Sequence, residues 1–146
     1  MLSSFLEDVK VAYGKSGTIS VLKAVLINPS TQACLLIRLS LSTGIIGYYL
    51  FRHMLIWKHS IDIGRGAKIG AGLYLPHPIN IVIGKGVIIG EKVTIYQGVT
   101  LGKSQGKYPQ LGRSSVIFPN CVLVGGLVIS DESRISALTF MRFENE

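Results

Sequence analysis

A period of six residues, running from Ile63 to Ile135, limits this chain more than any other feature it carries. Isoleucine or leucine stands at Ile63, Ile69 and Leu75, at Ile83, Ile89, Ile95 and Leu101, and at Leu111, Ile117, Leu123, Ile129 and Ile135. Gly64, Gly70, Gly84, Gly90 and Gly102 each directly follow one of these positions. An amphipathic helix would repeat about every 3.6 residues and a half-buried strand about every two, so neither accounts for the pattern. A hexapeptide repeat reads as a β-helix, in which each short strand and its turn form one side of a coil. Glycine suits the corners, where the backbone bends with no room for a Cβ. The expected fold is mainly β: a parallel β-helix of about four hexapeptide coils behind a small α-helical N-terminal region.

Three hexads make one coil, so the register can be folded up from the sequence. The four coils carry Ile63, Ile69 and Leu75; Ile83, Ile89 and Ile95; Leu101, Leu111 and Ile117; and Leu123, Ile129 and Ile135. Two interruptions break the count. One holds Pro76-His77-Pro78-Ile79-Asn80, and the other holds Lys103 to Pro109. Successive coils stack at roughly 4.8 Å. Asp62, the His77 bulge and the Lys103–Pro109 loop are therefore expected to crowd along one edge of the prism. A carboxylate, an imidazole and an excursion loop on one edge are what a site requires.

Residues 1–58 lack the hexad and read as helical. Ser4-Phe5-Leu6-Glu7 fits a capping box, and Asn28-Pro29 reads as an N-cap with proline in the first turn of a helix toward Leu41. Gly44 and Gly47 then interrupt, and a third helical piece is expected from Tyr48 to Trp57. The organisation predicted is a helical region over 1–58, the β-helix over 59–137 and a short tail over 138–146. Cys34 and Cys121 are too few for a disulfide framework or a metal cluster, so reduced, buried thiols and no metal are expected. The first residues show no secretory leader pattern, and a cytoplasmic location is expected. The apolar run Leu39–Phe51 is short of the about 20 residues a spanning helix needs. Its flanking Arg38, Arg52 and Lys58 leave open a peripheral contact with the inner face of a membrane through residues 38–58. The net charge of +7 admits a phosphorylated ligand or anionic lipid, and no nucleic-acid module is visible.

The stretch IDIGRGAKIGAGLYLPHPINIVIG, followed by VTIYQGVTLG, resembles the serine acetyltransferase group of left-handed β-helix hexapeptide acyltransferases. That group includes relatives that O-acetylate sugars of surface polysaccharides. The resemblance covers about residues 55–137, and the D-x14-H spacing with IVIG and QGVTLG is its specific part. It implies a left-handed coil, an exception to the usual crossover hand, a homotrimer, and acetyl-CoA as donor substrate between neighbouring subunits. It also implies that His77 is the catalytic base and that Asp62 orients it.

Chemistry supports that assignment. Transfer from a thioester to an alcohol needs a base for the hydroxyl proton, and the ordinary pKa of histidine suits the task. A carboxylate beside it would stabilise the imidazolium, as in hydrolases whose nucleophile belongs to the enzyme. The resemblance places cofactor contacts around Gly102 and its loop, so Gly102, Lys103, Arg113, Arg134 and Ala137 are the cofactor-binding candidates. Basic side chains among them would meet coenzyme A phosphates or form a solvated face. His53 and His59 lie outside the register and read as surface or packing residues.

The family's serine-specific handles are altered. Serine acetyltransferases carry an aspartate immediately before the catalytic histidine; here that residue is Pro76. Their Arg-His pair in the excursion loop is replaced by Lys107 and Tyr108, which loses the bidentate fork. Pro76, Lys107 and Tyr108 are thus the substrate-binding candidates, with Tyr108 offering a stacking surface. An acetyl-CoA-dependent O-acetyltransferase with a sugar or polysaccharide hydroxyl as acceptor is the reading favoured here, with serine as the alternative. After Ile135 the register should return near position 141, which Met141 fills poorly, whereas relatives usually add a further coil. A shortened, non-catalytic member of the same fold is the third reading, since an open coil leaves apolar surface exposed.

Overall fold

Without the hexad, the N-terminal third has only helical periodicity to work with, and helices are what it forms. A computed structural model describes residues 1–14 and 17–143, with α1 (Leu2–Tyr13), α2 (Thr18–Ile27), α3 (Pro29–Ser42) and α4 (Ile45–His59). The Asn28 side chain caps α3 as expected, its Oδ1 accepting from the Ser30 amide at 2.9 Å and the Thr31 amide at 3.4 Å. The capping box does not form. Helix α1 begins at Leu2 with Met1 in the cap position, which puts Ser4 inside the first turn. Gly44 separates α3 from α4, but Gly47 lies within α4, which starts three residues before the expected Tyr48.

From Asp62 onward the chain coils. Coil one holds β1 (Asp62–Ile63) and β2 (Lys68–Ile69), and coil two holds β3 (Val82–Ile83), β4 (Ile88–Ile89) and β5 (Thr94–Ile95). Coil three holds β6 (Thr100–Gly102), β7 (Gln110–Leu111) and β8 (Val116–Ile117). Coil four holds β9 (Val122–Val124), β10 (Val128–Ile129) and β11 (Arg134–Ile135), and β12 (Phe140–Arg142) follows. All pairings between these strands are parallel, and they make three faces. The first is β1-β3-β6-β9-β12, the second β2-β4-β7-β10, and the third β5-β8-β11.

The register agrees with the hexad count. Ile63, Ile83, Leu101, Leu123 and Met141 lie directly above one another on the first face. Ile69, Ile89, Leu111 and Ile129 do so on the second. Met141 therefore continues the stack, and the solenoid runs to Arg142 rather than ending before a tail at 138. A second inward set stands two residues earlier, including Ile61, Ala67, Leu73, Ile81, Val87, Val93, Val99 and Cys121, all buried. Alternation along each short strand sends residues i and i−2 to the same side. Each fully buried aliphatic contributes about 1.5–3 kcal/mol, so this two-row core is what holds such short strands in place.

One bolt fastens the helices to coil one. Arg38 of α3 donates to both carboxylate oxygens of Asp8 at 2.9 Å, and also to the carbonyls of Ile69 at 2.7 Å and Gly70 at 2.6 Å. Asp8 in turn accepts the Leu73 amide at 2.8 Å. Burial pushes the Asp8 carboxyl pKa up, while the guanidinium and the Leu73 amide pull it down. Arg38 is thus internal and unavailable to lipid, contrary to the sequence reading. Tyr48 of α4 donates to the Ile63 carbonyl at 2.8 Å and accepts the Arg65 amide at 3.0 Å. Cys34 and Cys121 are both buried free thiols, and burial drives the Cys34 pKa far up.

Candidate active site

His77 stands on a bulge at the corner between the third and first faces, where coil one rises into coil two. Prolines on both sides restrict the backbone there, and the Ile79 amide closes back on the His77 carbonyl at 2.8 Å. The Asn80 amide bonds to the His59 carbonyl at 3.2 Å and the Gly98 amide to that of Ile79 at 3.2 Å, which ties the bulge to the coils below and above. The imidazole is exposed. Its ring lies 6.4 Å from that of Tyr96, which stacks on Phe118 at 5.4 Å.

Beside His77 opens a cavity of about 380 Å³ between the bulge, the α2–α3 junction and the end of α4. Asn28, Ser30, Gln32, Lys58, His59 and Pro76 help to line it. Among the described residues, no carboxylate does. Two polar atoms in its wall, Ser30 Oγ and His59 Nε2, have no hydrogen-bond partner among the described residues. His59 is only 5 % exposed. Burial first, then neighbouring Lys58, lowers its pKa, against a bond to the Pro78 carbonyl that raises it. The neutral ring offers Nε2 to the cavity as donor or acceptor according to its tautomer. His59 is a wall residue of the cavity rather than a surface one, and only its place just ahead of the first coil hinted at this.

Asp62 begins β1 on the first face, paired in register with Val82 of the coil entered by the bulge. The carboxylate is engaged elsewhere. Arg52 of α4 donates from Nε to Asp62 Oδ1 at 2.7 Å and from its terminal nitrogen to Oδ2 at 2.9 Å. Among the described residues no hydrogen bond joins Asp62 to His77, so the orienting contact expected between them is not made. A planar guanidinium matches a carboxylate two-pronged, and α4 delivers one from outside the hexads, where a register argument does not look. Arg52, like Arg38, is committed within the protein.

The excursion loop departs from the opposite edge. It leaves Gly102 at the end of β6, between the first and second faces, so it and His77 flank the first face instead of sharing one edge. Ser104 and Lys107 close the loop through mutual backbone bonds at 3.1 and 3.0 Å. The Tyr108 ring lies directly over Gly84 and Gly86, where an added Cβ would strike it. That ring anchors the loop to the coil and is not the free stacking surface expected. The Lys107 ammonium sits 5.3 Å from the Phe143 ring centroid.

The remaining cofactor candidates are spread around the prism. Lys103 is exposed at the start of the loop, and Arg134 is exposed on β11 of the third face. Arg113 lies at the second corner of coil three, its amide donating to Asp131 Oδ1 at 2.7 Å and its guanidinium 3.5 Å from Oδ2. Ala137 is exposed at the third-to-first corner above coil four. A single chain does not gather these residues into one cluster.

The hexapeptide repeat of succinyl-transferase, as a sequence family, matches residues 56–76 and 80–104. Over those residues the chain carries the hexapeptide repeat. The break in the match falls on His77–Ile79, where the bulge departs from the period. The hexapeptide-repeat chain is similar to the serine acetyltransferase of Helicobacter pylori, 44% identical over 81 residues that make up 53% of this chain and 47% of the relative. It is also similar to that of Synechocystis, 33% identical over 138 residues, 88% of this chain and 55% of the relative. A serine acetyltransferase solved in complex with CoA shares its fold, with a TM-score of 0.80 at 21% identity, covering 94% of this chain and 60% of that one. The shared fold is the left-handed β-helix. The chain spans about half the length of the curated relatives it matches.

Proposed function

We propose that this protein is an O-acetyltransferase that moves the acetyl group of acetyl-CoA to a hydroxyl acceptor. The observation that carries the reading is His77, set exposed on a proline-braced bulge at the mouth of a cavity large enough for a small acceptor. In the reaction, the acceptor hydroxyl gives its proton to the His77 imidazole while its oxygen attacks the thioester carbonyl. The carbon–sulfur bond then breaks, and the departing thiolate takes the proton as coenzyme A. General-base assistance of this kind supplies about 10²–10⁴-fold. Asp62 enters such a scheme as a positioning residue only if it exchanges part of its Arg52 contact for the imidazole. A homotrimer, with the scattered Lys103, Arg113, Arg134 and Ala137 meeting across subunits, is part of this proposal.

The names of the relatives support L-serine as acceptor and shift the weight away from the sugar that the altered handles suggested. A second acceptor, a neutral sugar hydroxyl, has a specific observation in its favour. Among the described residues the cavity lining holds Lys58 and no carboxylate, with Pro76 beside His77, so the ammonium group of an amino acid finds no counter-charge from them.

The test is thiol release from acetyl-CoA by the purified chain, with L-serine and separately with a methyl hexopyranoside. His77→Ala is expected to reduce turnover by at least about 10²-fold while leaving the melting temperature unchanged. Asp62→Asn is expected to lower turnover and Arg52→Ala to lower only stability, by about 1 kcal/mol or less for so exposed a pair. Release from either acceptor that survives His77→Ala would overturn the assignment.

A further inference from the structure

Helices α2 and α4 present a continuous apolar plate that none of the described residues covers. On α2, Leu22, Leu26 and Ile27 are exposed, and on α4 Ile46, Leu50, Met54 and Trp57 are. Ile46 is 84% exposed and Trp57 90%. Residues four apart share a helix face, so Ile46, Leu50 and Met54 form one stripe, and Leu22 and Leu26 form another. A groove of about 360 Å³ joins the two, with Leu26 on one side, Met54 and Lys58 on the other, and Leu35 and Leu36 between.

Charge on this surface is of one sign. From Val9 to Ile61 the sequence holds no aspartate or glutamate. Of the basic residues on α2, α3 and α4, Arg38 and Arg52 are consumed by Asp8 and Asp62, which leaves Lys23 and Lys58 exposed on α2 and α4. We infer that the α2–α4 plate is a docking surface for an anionic lipid bilayer. Exposed aliphatics and Trp57 sink into the headgroup boundary, and the lysines extend toward anionic headgroups. A second copy of this chain fits the plate less well. An isologous contact sets the same patch against itself, so the lysines of both copies would share one interface with no carboxylate from this segment to offset them. Relative to the sequence reading, the lipid-facing residues lie on α2 and α4, and the two arginines have no part in it.

Trp57 is the chain's single tryptophan and reports directly on this face. With vesicles of phosphatidylcholine and phosphatidylglycerol, Trp57 emission is expected to shift to the blue and to be quenched by lipids brominated in the acyl chain. Added salt should reverse the shift, and pure phosphatidylcholine vesicles should produce far less. The double variant Lys23→Glu, Lys58→Glu is expected to partition at least about tenfold more weakly, with its far-ultraviolet circular dichroism unchanged. Three results would overturn the inference. One is no shift with either vesicle, and another is equal binding to both. The third is a blue shift that follows protein concentration without lipid, together with a doubled sedimentation mass, which would assign the plate to a second copy.

Discussion

His59 sits where α4 ends and the first coil begins, buried in the cavity wall, with a bond to Pro78 and its Nε2 without a partner among the described residues. Its environment favours the neutral ring. The unfolded chain therefore takes up a proton first as pH falls below about 6.5, and the folded state loses stability from there down to the lowered native pKa. Above about pH 6.5 the residue is neutral in both states and adds no slope. Accordingly, the melting temperature of the wild type is expected to fall more steeply than that of His59→Phe between about pH 6.5 and pH 5. Equal slopes would show that His59 is as free to ionise in the fold as outside it. Single residues also mark how far the sequence reaches. His77 and Asp62 were legible because both are placed by the hexad count. Arg52 and His59 were not, because they belong to α4, and nothing in a sixfold period says where a helix will rest against it.

Among the elements, the decisive join is α1 and α3 against coil one. Asp8 and Arg38 are separated by thirty residues, and in the sequence Arg38 reads as a lipid-facing charge with nothing to link it to Asp8. Folded, both are nearly inaccessible, and their hydrogen bonds satisfy the Ile69 and Gly70 carbonyls and the Leu73 amide at a coil corner. Removing one partner of such a pair strands a buried charge, so Asp8→Leu is expected to cost about 3–5 kcal/mol in urea unfolding. The double variant Asp8→Leu, Arg38→Met carries no stranded charge and should recover part of that loss. The unpaired carbonyls and amide keep it about 1–3 kcal/mol below wild type. An Asp8→Leu midpoint equal to wild type would mean the helices dock through apolar contacts alone. Only the Asn28-Pro29 cap of α3 was legible here, since a cap is a local contact and a docking bolt is not.

Across the whole molecule, the repeat imposes one backbone conformation at equivalent corners. At the corner between the third and first faces the left-handed turn is made by Ser60, Asn80, Gly98, Asn120 and Leu138, with φ of 53, 56, 71, 59 and 63°. The aliphatic stack was readable because one side-chain class recurs at every level, whereas this turn accepts serine, asparagine, glycine or leucine and leaves no pattern. Its energetics differ by level all the same. At Gly98 a Cβ would run into Asn120 Oδ1, so a side chain there requires the Asn120 amide to turn away. Leu138 is the reverse case: a left-handed backbone costs an L-residue roughly 1–2 kcal/mol, and a side chain 77% exposed recovers little of it by burial. Asparagine and glycine tolerate the conformation better. Leu138→Asn or Leu138→Gly is therefore expected to raise the urea midpoint by about 0.5–1 kcal/mol equivalent, and Asn80→Leu to lower it similarly. A lower midpoint for Leu138→Asn would mean that this leucine is covered in solution, and the top of the solenoid would then be a contact surface rather than a free end of the stack.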